Sequence, residues 1–274
     1  MKNIEKASPT NDGTQAETDA YLLIESLLRD MPIPGSGQFL EEHKAFYPEV
    51  YNPDQAEIRS LSEKVVGRIS DEDMLDFVKM TCGADMDDAE GFLASKIANA
   101  YGLKDVPDII HLDADDADPE GPDKMGGFDR DGNTIILYFG EGSIKSFYDH
   151  VEVLSHELWH AKQYEMMHDG EERGILYKEN LDHYIRGQMD EEGYRRQIIE
   201  AEAFDIGGSI AARYIYAQYS YLDDNDFAEL RALKAKHGIH NISDLDRVFE
   251  EIGKDNYFLL YLDFKISSPA ESQE

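Results

Sequence analysis

The chain has 274 residues, of which 26 are Lys or Arg and 58 are Asp or Glu, so its formal charge is −32. A charge this negative repels phosphate backbones and anionic lipid surfaces, which argues against a protein that binds nucleic acid or membranes. Hydrophobic residues make up 41% of the chain, a share too large for a disordered protein and sufficient for a substantial core.

The cysteine content and the N-terminal sequence indicate the compartment. Cys82 is the single cysteine and cannot form an intramolecular disulfide. Residues 1–19 lack the apolar segment of a signal peptide, and the longest apolar run, at 257–262, is far shorter than a membrane span. We therefore expect a soluble, cytoplasmic protein.

Changes in composition and periodicity divide the chain into five regions. We predict a disordered tail at 1–18, an N-terminal helical region at 19–105, a core of mixed secondary structure at 106–222, a C-terminal helical region at 223–266 and a second disordered tail at 267–274. Internal repeats are absent, so this is not a repeat architecture.

Four helices are predicted in the N-terminal helical region. Their apolar residues recur at helical spacing over 20–30, 53–69, 71–80 and 87–101. Ser70 precedes the third of them in the position of an N-cap.

The pattern changes from helical to extended at the start of the core. The segment 107–112 reads as a short strand, and the segments 125–128 and 133–139 flank Asp131-Gly132, which is a hairpin turn signal. From Gly142 onward the pattern is again helical. The sequence thus predicts a small sheet between two helical regions.

An acidic loop, residues 113–123, separates the first strand from the hairpin. Counted from Asp116, acidic residues occupy positions 1, 3 and 5 and Gly121 occupies position 6, as in a calcium-binding EF-hand loop. Position 12 is Gly127, where such a loop needs a bidentate Glu. We interpret the segment as a solvated acidic loop, with calcium binding as the alternative.

The motif that carries chemistry is His156-Glu157-Leu158-Trp159-His160. On a helix, residues four apart lie on one face, so both imidazoles can reach one metal ion. Glu157 lies beside them, where it can act as the general base toward a metal-activated water. The alternative is an exposed helix that carries histidines without a metal.

The surrounding sequence supports a helix with two functional faces. An apolar stripe recurs at steps of three and four through the predicted helix 143–167, and both histidines fall on the side opposite this stripe. The stripe consists of Ile144, Phe147, Val151, Leu154, Leu158 and Ala161. We expect one face to pack on the core and the other to hold the metal.

A zinc hydrolase needs a third protein ligand, and a downstream helix predicted at 192–219 offers two glutamates. Glu200 shares its helical face with small and apolar residues, where a buried carboxylate needs compensation. Glu202 shares its face with Arg195 and Arg213 and is expected to point to solvent. We predict Glu200 as the ligand and keep Glu202 as the alternative.

Together, Ser155-His-Glu-Leu-Trp-His-Ala161 and the later Glu200-Ala-Glu-Ala203 helix resemble the zincin-like metallopeptidases of the gluzincin branch. The pattern resembles in particular the compact bacterial and phage-associated proteins of the ImmA/IrrE type. In the family pattern the first Glu, followed by Ala three residues later, is a metal ligand. Many gluzincins carry Asp or Asn four residues after that Glu, whereas this chain has Phe204 there and Asp205 one residue further on.

The resemblance, which covers about residues 107–219, implies a function and a fold. It implies one Zn²⁺ per chain held by His156, His160 and Glu200, with Glu157 as the base for peptide-bond hydrolysis. The implied fold is α+β and mainly helical, with a small antiparallel sheet packed on the helix that carries the motif. The substrate would be a peptide or protein.

Three details of the mechanism stay open at the level of the sequence. Tyr194, His183 and Tyr214 are each candidates to stabilise the oxyanion. The strand at 133–139 is expected to be a sheet edge that pairs with an extended peptide. The charged insert at 169–193, with a short helix around 176–188, either shapes the cleft or simply connects two helices.

Two other readings compete with a peptidase. Glu157-x-x-His160 and Glu165-x-x-His168 have the spacing found in di-iron helical bundles, although those bundles place the two motifs on different helices. The second alternative is a catalytically silent protein that binds zinc or a partner on the same scaffold.

Overall fold

The computed structural model describes residues 48–81, 86–113, 125–140, 144–187 and 190–267. Several predicted segments lie outside these ranges: the tail at 1–18, the helix at 20–30, residues 114–123 of the acidic loop and residues 268–274 of the second tail.

Four helices open the described part of the chain: α1 (Pro48–Tyr51), α2 (Gln55–Val66), α3 (Asp71–Thr81) and α4 (Met86–Tyr101). The last three confirm the helices predicted from periodicity. The predicted N-cap is also present, because the hydroxyl of Ser70 accepts a hydrogen bond of 3.0 Å from the backbone N–H three residues later.

Three strands form one small sheet: β1 (Asp108–Asp113), β2 (Gly126–Asp129) and β3 (Thr134–Phe139), in the order β1-β3-β2. The predicted hairpin is confirmed, since β2 and β3 pair antiparallel. β1 pairs parallel to β3, however, so the expectation of a purely antiparallel sheet was wrong and the sheet is mixed.

The position of β3 corrects a second expectation. β3 is paired on both sides and lies in the centre of the sheet, whereas β2 and β1 form its edges among the described strands. The sequence identified the turn of the hairpin but carried no signal for which side of β3 the first strand would join. β3 is therefore not the edge strand that was expected to pair with a peptide.

The helices that follow the sheet are α5 (Phe147–Asp169), α6 (Glu172–Asp182), α7 (Glu191–Arg196) and α8 (Ile198–Tyr221). α7 and α8 replace the single helix predicted at 192–219. They are separated at Gln197, whose ψ of 142° is extended.

Three further helices, α9 (Asp224–His237), α10 (Ile242–Ile252) and α11 (Lys254–Ser267), complete the chain that the structure describes. One apolar core runs through α2, α3, α4, β3, α5, α8 and these three helices. The N-terminal and C-terminal helical regions thus pack on the same core as the sheet. No helix in the described ranges has both the length and the apolar character needed to cross a lipid bilayer.

The N-terminus of α5 is fixed from two directions. The side chain of Ser146 accepts a hydrogen bond of 3.0 Å from the backbone N–H of Asp149. The carboxylate of Asp255, at the start of α11, accepts hydrogen bonds from the backbone N–H groups of Phe147 and Tyr148 at 3.1 and 3.0 Å. These bonds satisfy free N–H groups of the first turn and tie α11 to α5.

The most extensive helix–helix contact joins α5 to α8. At its centre lies Gly207, where an added Cβ would come within 2.8 Å of the backbone oxygen of Glu152 and within 3.4 Å of the Cβ of His156. The small residue therefore allows the two helix backbones to approach closely. This agrees with the expected role of the small-residue face of α8.

The two adjacent glycines of α8 provide a matched test of this contact. Gly207→Ala should destabilise the protein by about 1–2 kcal/mol, because overpacking against the Glu152 backbone outweighs the gain in helix propensity. Gly208→Ala, whose Cβ would meet only the end of the Glu152 side chain at 3.8 Å, should be neutral or stabilise by up to about 1 kcal/mol. Urea unfolding of both variants measures the difference, and equal stabilities would contradict the close approach.

Candidate metal centre

Helix α5 directs both histidines of the motif toward α8. Leu154 and Leu158 of the predicted apolar stripe are fully buried in the core, as expected for the opposite face. The imidazole Nε2 atoms of His156 and His160 lie 2.9 Å apart. Two ring nitrogens that face each other at this distance require a cation or a shared proton between them.

Glu200, in the first turn of α8, completes the group. Its Oε2 lies 3.3 Å from Nε2 of His156 and its Oε1 lies 3.5 Å from Nε2 of His160. The Glu200 side chain is 3% exposed, and those of His156 and His160 are 9% and 18% exposed. The three side chains converge as the sequence predicted, and solvent reaches the group on the side of His160.

The spacing of these atoms fits a zinc ion. Bonds of about 2.0–2.1 Å at tetrahedral angles place neighbouring ligand atoms about 3.3 Å apart. The two Nε2 atoms are 2.9 Å apart, each has a different Glu200 oxygen at 3.3 or 3.5 Å, and one ligand atom from each of the three residues lies within 4.8 Å of the others. In addition, Oε2 of Glu200 is buried without a hydrogen-bond partner among the described residues. A buried carboxylate oxygen of this kind is costly unless a cation compensates it. Two imidazoles and one carboxylate match the donor set of catalytic zinc sites.

The protonation of the group follows from its charges. Burial alone would lower the pKa of His160, but the carboxylate of Glu200, and to a smaller extent that of Glu157, raise it to about 9. Burial alone would raise the pKa of Glu200, but the two facing imidazoles outweigh this effect and hold it well below its usual value. Glu200 is therefore an anion at neutral pH, ready to pair with a cation.

Gln163 fixes the orientation of His160, and sequence reasoning did not identify this role. Its side-chain nitrogen donates a hydrogen bond of 2.9 Å to the backbone oxygen of Ile199, so its Oε1 faces His160 Nδ1 at 2.8 Å. Nδ1 must then carry a proton, so Nε2 is the ring nitrogen that would give up its proton when a metal ion binds. The available signal was the three-residue spacing, which places Gln163 on the same helical face as His160.

Phe204 occupies the position where many gluzincins have a polar residue. Its ring packs against His156 with centroids 4.6 Å apart, and the guanidinium of Arg195 lies 4.8 Å from the Phe204 centroid. Phe204 thus holds the His156 ring by packing in place of a hydrogen bond. The backbone oxygen of Asp205 accepts a hydrogen bond from Ser62, away from the two histidines.

The charged insert contributes side chains to this group. Tyr184, between α6 and α7, donates a hydrogen bond of 2.6 Å to Oε1 of Glu200. The loop that carries Tyr184 is fixed by Gln197, whose Nε2 donates to the Ile185 oxygen at 2.8 Å and whose Oε1 accepts from Asn180 at 2.9 Å. Of the two alternatives left open for the insert, these contacts favour the one in which it shapes the site.

The expectation for Glu202 was wrong. Glu202 is fully buried, and its carboxylate accepts hydrogen bonds from Arg173 at 2.8 Å, Tyr177 at 2.5 Å and the Trp159 indole at 3.3 Å. The helical wheel placed Glu202 on a charged face that we expected to be solvated. A wheel shows residues of one helix only, so it could not show Arg173, which lies on α6 and compensates the charge. The carboxylate does turn away from the two histidines.

The predicted arginine partners of Glu202 also lie elsewhere. Arg195 pairs with Glu191, and Arg213 donates hydrogen bonds to the backbone oxygens of Val66 and Ile69. The face of α8 that carries Arg213 therefore packs against α2 and the loop after it.

The side chain of Glu157, on α5, faces the edge strand β2. It is buried, and a Cβ added to Gly126 would lie 3.2 Å from its Oε1. The same Cβ would lie 2.5 Å from Cγ1 of Val153, which excludes a side chain at Gly126, so the backbone of β2 passes beside both Val153 and Glu157.

The candidates for oxyanion stabilisation occupy different places. Tyr194 interacts with Glu200 and Tyr184 and lies close enough to Glu157 for its charge to act on the phenol. Tyr214 is buried beside Phe77, with centroids 5.5 Å apart. His183 ends α6, where its backbone oxygen accepts a hydrogen bond from Tyr51. Of the three, Tyr194 has the contacts that connect it to the metal-binding group.

The geometry argues against the di-iron reading. Both E-x-x-H motifs lie on α5, whereas a di-iron bundle supplies them from different helices. Glu165 accepts a hydrogen bond of 2.8 Å from the backbone of Lys104, and His168 Nδ1 faces the backbone oxygen of Tyr164 at 2.9 Å. These residues are engaged away from His156 and His160.

Comparison of the chain with models of protein families, with curated proteins and with solved structures gave no match.

The two glutamates of α8 should separate metal binding from stability. Glu200→Gln should lower zinc affinity at least about 100-fold, because a neutral amide replaces an anionic ligand. Glu202→Gln should keep the zinc but destabilise the fold by about 2–4 kcal/mol, because it leaves Arg173 without its buried partner. Zinc titration and urea unfolding of both variants measure the two effects, and zinc loss on Glu202→Gln alone would reassign the ligand.

Proposed function

We propose that the protein is a zinc-dependent metallopeptidase of the gluzincin type. The observation that carries this proposal is the convergence of His156, His160 and Glu200, with one Glu200 oxygen left without a hydrogen bond, next to the carboxylate of Glu157. His156, His160 and Glu200 would hold a zinc ion, which would supply the Lewis acidity needed to activate a water molecule and polarise a peptide carbonyl.

Glu157 acts as the proton carrier in this proposal. Its carboxylate accepts a proton from the attacking water and passes it to the amine of the leaving group. Its location supports this role, since the side chain is buried on the same helix as the two histidines and beside β2, an edge strand of the sheet among the described residues.

The edge strand β2 is the element that we assign to substrate binding. An extended peptide that pairs with β2 runs past Gly126, where the backbone lies next to Glu157. The missing side chain at Gly126 leaves room for Glu157 at this point. The peptide backbone supplies the hydrogen bonds of the ladder, so binding of this kind suits substrates of varied sequence.

Tyr194 is the donor that we assign to the oxyanion. Burial, together with the charges of Glu200 and Glu157, raises the pKa of its phenol far above the usual value. The hydroxyl therefore stays protonated and can donate a hydrogen bond to the oxygen on which negative charge develops.

The alternative is a protein that binds zinc, or a partner, on the same scaffold without hydrolysing a peptide bond. It shares every ligand with the peptidase and differs only in turnover. Hydrolysis in the presence of zinc therefore separates the two.

Glu157→Gln should retain zinc and the fold but abolish hydrolysis. Glutamine has nearly the same shape as glutamate and cannot accept the proton. Zinc analysis and a fluorogenic peptide-library assay of the zinc-loaded wild type and variant test this directly. Full activity of Glu157→Gln would refute the mechanism, and an inactive wild type would favour the silent alternative.

Two tyrosines allow the oxyanion role to be separated from support of the metal. Tyr194→Phe should lower kcat at saturating zinc by about 10²–10³-fold, because a transition-state donor is lost, and should lower zinc affinity less than Tyr184→Phe does. Tyr184→Phe should lower zinc affinity by about 10–100-fold, because its hydroxyl supports Glu200, and should keep a near-normal kcat once zinc is saturating. The reverse pattern would exchange the two roles.

A further inference from the structure

A second group of potential metal ligands lies nearer the N-terminus of α5. It consists of Glu90 on α4, His111 on β1 and His150 on α5, which we call the Glu90 cluster. We propose that the Glu90 cluster binds a second divalent metal ion of the zinc type and thereby joins the N-terminal helices to the sheet and to α5.

The ligand atoms of the Glu90 cluster already face one another. Nε2 of His111 lies 3.0 and 2.9 Å from the two carboxylate oxygens of Glu90, and Nε2 of His150 lies 2.5 Å from Oε2. One atom from each of the three residues falls within 4.8 Å of the others. Two imidazole nitrogens and a carboxylate oxygen form a donor set that suits zinc and related divalent ions.

The burial of the cluster makes a cation favourable. The side chains of Glu90 and His150 are 7% and 9% exposed, whereas that of His111 is 40% exposed. The contacts of Glu90 with charged or titratable groups in the described chain are these two imidazoles, and no Lys or Arg reaches it. A metal ion would compensate the buried carboxylate, and the exposed side near His111 leaves a position for water.

The rings are held in orientations that keep both Nε2 atoms on the carboxylate. The ring of Phe139 on β3 packs nearly edge-on against His111 and His150, with centroid distances of 5.0 and 5.5 Å. The two imidazoles stand at 87° to each other. Packing of this kind reduces the ordering that metal binding would otherwise require.

The Glu90 cluster is separate from the candidate catalytic site. His150 and His156 are six residues apart on α5, which corresponds to about 9 Å along the axis and a separation of about 120° around it. Two-metal catalytic sites hold their ions about 3.5–4 Å apart. The second ion would therefore act on structure: it would fix β1, and through β3 the edge strand β2, relative to the helix that carries Glu157.

Zinc stoichiometry of the full chain tests the proposal without reference to activity. Wild type should bind two zinc ions per chain, and His156→Ala/His160→Ala should bind one. His111→Ala, a change at the most exposed of the three side chains, should also bind one, and the triple variant should bind none. His240→Ala, at an exposed residue outside both groups, is the matched control and should bind two.

Thermal unfolding provides a second readout of the same site. In His156→Ala/His160→Ala, zinc at about 100 times its dissociation constant should raise the melting temperature by about 5–10 °C. This rise should disappear when Glu90→Gln is added, a change that keeps the shape of the side chain and removes its charge. The measurement applies even if His111→Ala fails to fold.

The outcomes separate the second site from the first. Loss of one zinc on His111→Ala but not on His156→Ala/His160→Ala would support the Glu90 cluster and refute the catalytic site. Two results would overturn the second site. One is a folded His156→Ala/His160→Ala variant that binds no zinc, and the other is an equal zinc content in wild type, His111→Ala and Glu90→Gln. Either result would leave the Glu90 cluster as a hydrogen-bonded Glu–His–His group.

Discussion

The carboxylate of Glu200 is buried between two imidazoles, and the surrounding fold is arranged to hold it there. Burial of an anion is costly unless charge and hydrogen bonds compensate it. The compensation requires α8 to lie very close to α5, which the missing side chain at Gly207 permits. It also requires α8 to begin at Ile198, so that Glu200 lies in the first turn of the helix.

Helix α8 carries two buried glutamates with different surroundings, and these surroundings decide what each can do. Glu202 is paired with Arg173 and accepts two further hydrogen bonds, so its charge is already compensated. Glu200 faces two histidines and two tyrosines and keeps one oxygen without a hydrogen bond. Glu202 therefore stabilises the contact of α6 with α8, and Glu200 is available to a cation.

Local signals in the sequence predicted most of what depends on neighbouring residues. The hydrophobic period located α2 to α5, the Asp131-Gly132 pair located the hairpin, and the wheel of α8 selected Glu200 over Glu202. The errors concern residues that are distant in sequence. The compensation of Glu202 comes from Arg173, 29 positions away, and the parallel pairing of β1 with β3 depends on which side of the hairpin it joins.

The orientation of the imidazoles shows the same limit. The spacing of His156 and His160 placed both rings on one face, but the contacts that fix them come from Gln163 and from Phe204 on another helix. Likewise, His150 and His111 share a carboxylate because α4 packs on α5 and carries Glu90 to both rings. A pattern within one helix predicts which residues share a face, whereas tertiary packing decides what that face meets.

Anomalous diffraction at the zinc absorption edge, from crystals of the zinc-loaded protein, tests the central claim most directly. We expect an anomalous peak about 2.0–2.1 Å from Nε2 of His156 and of His160 and about 2.0–2.2 Å from a carboxylate oxygen of Glu200. A zinc-loaded crystal with no peak at this point, and with Glu200 hydrogen-bonded directly to the two imidazoles, would contradict it.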